Sequence, residues 1–223
     1  LYALRDSARI VFALSSDHGV ARYPESFFKG DEPNRGRVDV RPVMDRARSG
    51  LAARGVEGDA LLLQSGIVSL DRRRLAAKGV NADSVVTALR RELLALPGMA
   101  RVDRVTQLAA NAARGDKIAR RWLHAVPPDL LAVLTLTFKP NYYVFTTRYA
   151  THGTPYDYDA NVPVFFMGPG IVPGRRSATI RTVDVAPTLA ELTGVEPIER
   201  IDGRSLWPLL RTGPRAPSSA PRR

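Results

Sequence analysis

Hydrophobic and polar positions alternate along the chain in two periods, one typical of strands and one typical of helices. Apolar residues dominate positions 9–14 and 130–138, which predicts two buried strands. Apolar residues recur at helical spacing over residues 81–96 and predict a helix that Pro97 and Gly98 end. Strands interleaved with helices in this way indicate the α/β class.

Turn and capping residues mark further elements between these. Residues 99–108 alternate valine with charged side chains, which favours an edge strand or a loop. The same signals predict a helix over 41–55, one strand over 59–68, a short turn or helix over 70–79, a helix over 116–124 and a strand over 162–167.

The helix predicted over residues 182–194 has a readable beginning and end. Asp184 is a candidate N-cap, because its carboxylate can accept a hydrogen bond from the first turn. Pro187 falls in that first turn, where no helical donor is lost, and Gly194 suits the position after the last turn.

The composition is typical of a globular protein with a hydrophobic core. Of 223 residues, 44% are hydrophobic and 25% are charged. No stretch reaches the ~18 apolar residues that a membrane span needs, so we expect no membrane span. Cysteine is absent, which excludes thiol nucleophiles and cysteine-based zinc sites.

The chain is strongly basic, with 33 Lys and Arg against 22 Asp and Glu and a formal net charge of +11. This charge favours anionic partners such as phosphate groups or nucleic acid. The arginines are dispersed, however, and no aromatic-interleaved basic stripe or helix-turn-helix pattern is present. A nucleic-acid-binding module is therefore the less favoured alternative.

Chemistry-bearing residues follow the first strand and precede a later one. Asp17, His18 and Gly19 come directly after the apolar run, and His152 and Gly153 stand in a second polar turn. Carboxylate oxygen and imidazole nitrogen suit Zn²⁺ or Mn²⁺, and functional groups gather at the carboxyl ends of sheet strands. From the residues alone, a solvated turn and a metal-ligand pair both remain open.

Other candidates are given structural roles. His124 ends a basic helix, where the helix carboxyl terminus favours an imidazole. Ser15 and Ser16 lack a base and an orienting partner, so we treat them as turn residues and not as nucleophiles. Three residues that follow His152 either orient its ring or only shape the turn: Tyr156, Asp157 and Asp159.

Four sequence blocks resemble the alkaline phosphatase superfamily, in the order that the superfamily has them. The resemblance is greatest to the branch of the phosphate-irrepressible alkaline phosphatases, near the type I phosphodiesterases and nucleotide pyrophosphatases. The blocks are Ser-Asp-His-Gly at 16–19, residues 151–159, residues 162–171, and residues 183–194 followed by Asp-Gly-Arg-Ser-Leu at 202–206.

This resemblance implies an alkaline-phosphatase-like mixed sheet flanked by helices, incomplete and with an inserted α+β subdomain. Residues 1–35 and 114–211 are then the carboxy-terminal part of the catalytic domain, and residues 36–113 are a cap-like insertion. The Pro-, Ser- and Arg-rich residues 212–223 are expected to form a disordered tail.

The resemblance also implies two zinc ions, with Mn²⁺ as the alternative metal, and hydrolysis of small phosphomonoesters or phosphodiesters by a Thr or Ser nucleophile. Asp17 and His18 match ligands of one metal ion, and His152 matches a ligand of the other. A sulfatase or phosphonate hydrolase of the same superfamily is the alternative.

The superfamily's nucleophile and an Asp-x-x-x-His ligand pair are expected upstream of Asp17, and this chain does not contain them. Asp6, for example, is followed four residues later by Ile10. We therefore expect the carboxy-terminal half of a longer enzyme, inactive without its amino-terminal half. A periplasmic or secreted location follows from the resemblance alone.

Overall fold

The computed structural model describes residues 6–22, 24–26, 35–127, 130–144 and 151–212. The chain divides into two compact units, a first unit of Leu1–Asp17 with Val162–Arg223 and a second unit of His18–Asn161. The predicted tail, apart from Thr212, lies outside the described residues.

The described elements confirm the α/β class. The strands are β1 (Phe12–Ser15), β2 (Gly36–Arg37), β3 (Leu61–Gln64), β4 (Ile67–Leu70), β5 (Met99–Arg104), β6 (Ala132–Phe138), β7 (Tyr142–Tyr143) and β8 (Val164–Met167). The α-helices are α1 (Arg41–Ala52), α2 (Arg72–Ala77), α3 (Ala82–Leu94), α4 (Val105–Ala113), α5 (Lys117–Ala125), α6 (Asp157–Ala160), α7 (Val185–Thr193) and α8 (Trp207–Leu210).

An antiparallel sheet in the order β3-β4-β6-β5 organises the second unit. All residues of β6 after Ala132 are buried, which confirms the buried strand predicted there. Helix α3 buries Val86, Leu89 and Leu93, one face at helical spacing, and packs against β5. The β2–β7 pair is parallel and separate from this sheet among the described residues.

The predicted domain bounds differ from the bounds of the compact units. Strand β6 lies outside residues 36–113, yet it pairs with β4 and β5, which lie inside them. The assignment of residues 36–113 to an insertion therefore stays a prediction.

One prediction for the second unit was wrong, and another was correct only in part. The single strand over 59–68 is a hairpin, because Ser65 and Gly66 both have positive φ and reverse the chain between β3 and β4. The prediction of an edge strand or loop over residues 99–108 is correct only as far as Arg104, where β5 ends. Helix α4 follows, since its Leu108 packs in a small core with Trp122 of α5.

We expect Gly66→Ala to lower the free energy of unfolding by about 2–4 kcal/mol, and Gly79→Ala by only about 1 kcal/mol. Both glycines have positive φ, so the backbone cost is similar in the two variants. An added Cβ at Gly66 would lie 3.0 Å from the Trp122 ring, whereas at Gly79 it would meet nothing within 4 Å. Urea unfolding measures both, and equal losses would contradict the role of the Trp122 contact.

The first unit contains an exposed antiparallel pair, β1 with β8. The expectation that β1 is a buried central strand was wrong for the described residues. Leu14 of β1 is 65% exposed, and Phe165 and Met167 of β8 are 59% and 55% exposed. Among the described strands, β1 and β8 pair only with each other, and an apolar run by itself sets only a preference for burial.

Helix α7 begins and ends where the sequence predicted. Pro187 lies in its first turn, and Gly194 follows it in the left-handed conformation. Asp184 stands at the N-cap position, but its carboxylate does not cap α7. It accepts hydrogen bonds from Arg181 N at 2.9 Å and Arg204 N at 3.0 Å, and so ties the segment before the helix to a later loop.

Candidate functional site

Two of the three predicted metal ligands lie side by side in the second unit. The imidazole rings of His18 and His152 stack with their centroids 3.6 Å apart and their planes within 6°. An antiparallel bridge holds the two loops together, because Ala21 N donates to Thr151 O at 3.2 Å. Tyr143 strengthens this junction by donating its hydroxyl to Ala21 O at 2.6 Å.

The orientation of the His18 ring is set by its own loop. His18 Nδ1 lies 2.7 Å from Gly19 O, and a carbonyl oxygen can only accept a hydrogen bond. Nδ1 therefore carries a proton, and in the neutral ring the lone pair is on Nε2. Histidines that bind metals commonly donate their other ring nitrogen to a backbone carbonyl in this way.

A buried acid fixes both histidine loops. Gly19 N donates to Asp159 O at 2.7 Å, and Thr154 N donates to Asp159 Oδ2 at 2.6 Å. The side chain of Asp159 is buried, and Asp159 Oδ1 has no hydrogen-bond partner among the described residues. A Cβ on Gly19 would approach Tyr158 O to 2.1 Å, so only glycine lets this loop pack so closely.

The acids and the tyrosine after His152 shape the turn through hydrogen bonds. Asp157 pairs with Arg121 at 2.7 Å, and this hydrogen bond from Arg121 lowers the pKa of Asp157. Tyr156 donates its hydroxyl to Phe138 O at 2.6 Å. Burial raises the pKa of Tyr156 and Tyr158, so both phenols stay protonated at neutral pH.

The remaining candidates are Asp17, Ser15, Ser16 and His124. Asp17 belongs to the first unit, where Ser16 Oγ donates to its Oδ1 at 3.3 Å. Ser15 donates its hydroxyl to Pro163 O at 3.1 Å, a bond from β1 to the residue before β8 that agrees with a structural role. His124 is exposed in α5.

The donor chemistry of the histidine pair fits part of a zinc site. Imidazole nitrogen is a preferred zinc ligand, and an unsatisfied buried carboxylate oxygen, Asp159 Oδ1, lies in the segment that holds the histidine loops. Within the described ranges, however, no cluster of three or more His, Asp or Glu side chains is arranged to hold a metal ion. The described residues therefore provide a partial ligand set.

A cleft of about 490 Å³ in the second unit has His152 in its lining. Helix α1, the hairpin turn between β3 and β4, Trp122 of α5, strand β6 and residues 151–155 bound it. This cleft could not be predicted from the sequence, because its lining comes from segments spread over more than a hundred positions. None of the described helices has the length and apolar character needed to cross a membrane.

No protein-family model matches the chain. The chain is 27% identical over 186 residues to a Myroides odoratus protein named calcium-transporting ATPase, covering 82% of this chain and 34% of that protein. It is 26% identical over 217 residues to alkaline phosphatase PhoK of Sphingomonas sp, covering 91% of this chain and 38% of that protein. The chain thus spans little more than a third of the length of these relatives.

A shorter match and a solved structure agree with these relatives. This chain is 41% identical to arylsulfatase K of Xenopus laevis over 56 residues. The match covers 25% of this chain and 10% of that protein. The fold is similar to that of the crystal structure of wild-type alkaline phosphatase PafA, with a TM-score of 0.73 and 21% identity, over 88% of this chain and 39% of that one. The chain therefore carries part of the alkaline-phosphatase fold, and the predicted resemblance to the alkaline phosphatase superfamily is confirmed.

Proposed function

We propose that this chain takes part in the metal-dependent hydrolysis of small phosphate esters, in a site where His18 and His152 each bind one of two neighbouring zinc ions. The observation that carries the proposal is the stacked pair of imidazoles, contributed by two loops far apart in sequence. Asp17, the neighbour of His18 in the chain, stays a predicted ligand.

Hydrogen bonds within the second unit orient the two histidines before a metal ion binds. The bond from His18 Nδ1 to Gly19 O directs the Nε2 lone pair away from the loop's own carbonyl. Asp159 anchors the loop of His18 through Gly19 N and the loop of His152 through Thr154 N. When bound, zinc would supply positive charge that stabilises the phosphoryl oxygens during displacement at phosphorus.

Further parts of the site are proposed to come from outside this chain. A Thr or Ser nucleophile and the remaining ligands belong to the proposed amino-terminal half, so we expect residues 1–223 alone to be inactive. The proposal extends to a periplasmic or secreted location, which the extracellular sulfatases among the relatives support.

Phosphate is favoured over sulfate as the ester group. The match to an alkaline phosphatase extends over 91% of the chain, whereas the sulfatase match extends over 25%. The net charge of +11 suits a doubly charged phosphate monoester. Sulfate ester hydrolysis remains the second candidate, because the sulfatase match has the higher identity, 41%.

We expect the full-length protein to hydrolyse p-nitrophenyl phosphate much faster than p-nitrophenyl sulfate. Removal of metal with a chelator should lower the phosphatase rate by about 100-fold or more, and added Zn²⁺ should restore it. Initial rates with both esters, before and after chelation, measure this. A faster sulfatase rate would select the second candidate, and a phosphatase rate that survives complete metal removal would overturn the proposal.

A further inference from the structure

The cleft that His152 helps to line has the size of a ligand site, and buried residues form its floor. Its volume of about 490 Å³ lies within the ~300–1,000 Å³ typical of small-molecule pockets. Strand β6 is one of the two interior strands of its sheet, and Leu136 and Phe138 of this strand are buried. The floor of the cleft is therefore part of the rigid core, and does not depend on a loop closing over it.

The lining is mainly apolar and aromatic. Met44 of α1, Leu63 of β3 and Trp122 of α5 contribute to it, together with Phe138, Tyr142 and Val144. The polar atom of the tryptophan is already bound, since Trp122 Nε1 donates to Thr137 Oγ1 at 2.8 Å. Its ring therefore offers the cleft a hydrocarbon surface.

The two cations in the lining are already neutralised. Arg41 holds the carboxylate of Asp39 with two hydrogen bonds, of 2.8 and 2.7 Å. Arg48 donates to Leu61 O at 3.1 Å and to Asp45 Oδ1 at 3.2 Å. These ion pairs balance the charge of both arginines, so the cleft favours an uncharged ligand over one with a second anionic group.

We propose that this cleft binds the leaving group of the ester, and that the leaving group is an uncharged aromatic alcohol. This inference rests on the proposed function for the placement of phosphorus near His152. The phosphoryl group stays with the histidine pair, while the aromatic ring enters the cleft between Met44, Leu63 and Trp122.

Adjacent leucines on one strand provide a matched pair of variants. Leu63 lines the cleft and is half-buried, whereas Leu62 lies on the opposite face of β3 and is 52% exposed. In the full-length protein, we expect Leu63→Ala to lower kcat/KM for 1-naphthyl phosphate about tenfold, because it removes apolar contact area. The same variant should leave kcat/KM for glycerol 2-phosphate within about twofold, and Leu62→Ala should leave both unchanged.

Binding of 1-naphthol, which lacks phosphorus, separates this inference from the proposed function. We expect naphthol to bind the wild-type protein, to quench its tryptophan fluorescence, and to bind Leu63→Ala and Val144→Ala several-fold more weakly. Thermal unfolding of each variant checks that it folds.

Naphthol binding without any ester hydrolysis would support the cleft and refute the proposed function. Phosphate ester hydrolysis with equal effects of Leu63→Ala on both esters, or naphthol binding that neither cleft variant weakens, would overturn the aromatic subsite.

Discussion

Replacing His152 with alanine in the full-length protein is expected to lower kcat/KM for a phosphate ester by about 100-fold or more. Loss of a residue that only supports a metal ligand typically costs 10–100-fold in affinity or activity, and loss of a ligand should cost at least as much. His152 also stacks on His18 at 3.6 Å, so its removal takes away one of the contacts of the second imidazole. Steady-state kinetics of the purified variant measure the loss.

His124→Ala is the matched control for this experiment. His124 is the same residue type, but it is exposed on α5 and is not part of the stacked pair. We expect its activity to stay within twofold of wild type, and zinc content measured by metal analysis to fall only in His152→Ala. Unchanged kcat/KM in a folded His152→Ala protein would remove this residue from the site.

Replacing Asp184 with alanine is expected to lower the free energy of unfolding by about 2–4 kcal/mol. The carboxylate is 1% exposed and accepts hydrogen bonds from Arg181 N, Arg204 N and the Arg181 guanidinium. The variant would leave two backbone donors without their partner, and each unsatisfied buried donor costs about 1–3 kcal/mol. Urea unfolding followed by circular dichroism measures the change.

Asp202→Ala provides the comparison, since the Asp202 side chain is exposed in a loop of the same unit. We expect it to change the free energy of unfolding by less than about 0.5 kcal/mol. Equal losses in the two variants would show that the hydrogen bonds of Asp184 do not stabilise the unit.

The stabilisation by Asp184 should depend on pH. Burial alone would raise the pKa of this carboxyl, but the hydrogen bonds from Arg181 and Arg204 outweigh burial and hold the pKa below its usual value. A group with a depressed pKa in the folded state stabilises the fold above its unfolded pKa of about 4, and loses that contribution as the pH falls through the folded pKa. The difference between wild type and Asp184→Ala should therefore be constant from pH 5 to 8 and shrink below about pH 4.

Elements whose signal is local could be predicted well from the sequence. Helix α3 has one apolar face at helical spacing, α7 has Pro187 in its first turn and Gly194 after its last, and β6 is a mainly apolar run with two β-branched threonines. In each case the residues that define the element are neighbours in the chain, so propensity and packing select the same structure.

Elements that depend on distant partners were predicted less well. The hairpin turn at Ser65-Gly66 contains no proline or Asn-Gly signal, and the Trp122 ring that lies close to Gly66 comes from a distant helix. Helix α4 depends in the same way on contact with α5. The predicted burial of β1 was wrong. An apolar run specifies a preference for burial, but the residues that could cover it come from other parts of the sequence.

By itself, the sequence determined the α/β class, the candidate ligands Asp17, His18 and His152, and the resemblance to the alkaline phosphatase superfamily. Only the tertiary structure decided that the rings of His18 and His152 stack, that Asp159 anchors both of their loops, and that an apolar cleft has His152 in its lining. The physical reason is that each of these features joins segments separated by many residues. Residue type and spacing specify the chemistry that a side chain can perform. Only the packing of the folded chain specifies which other side chains lie close enough to take part.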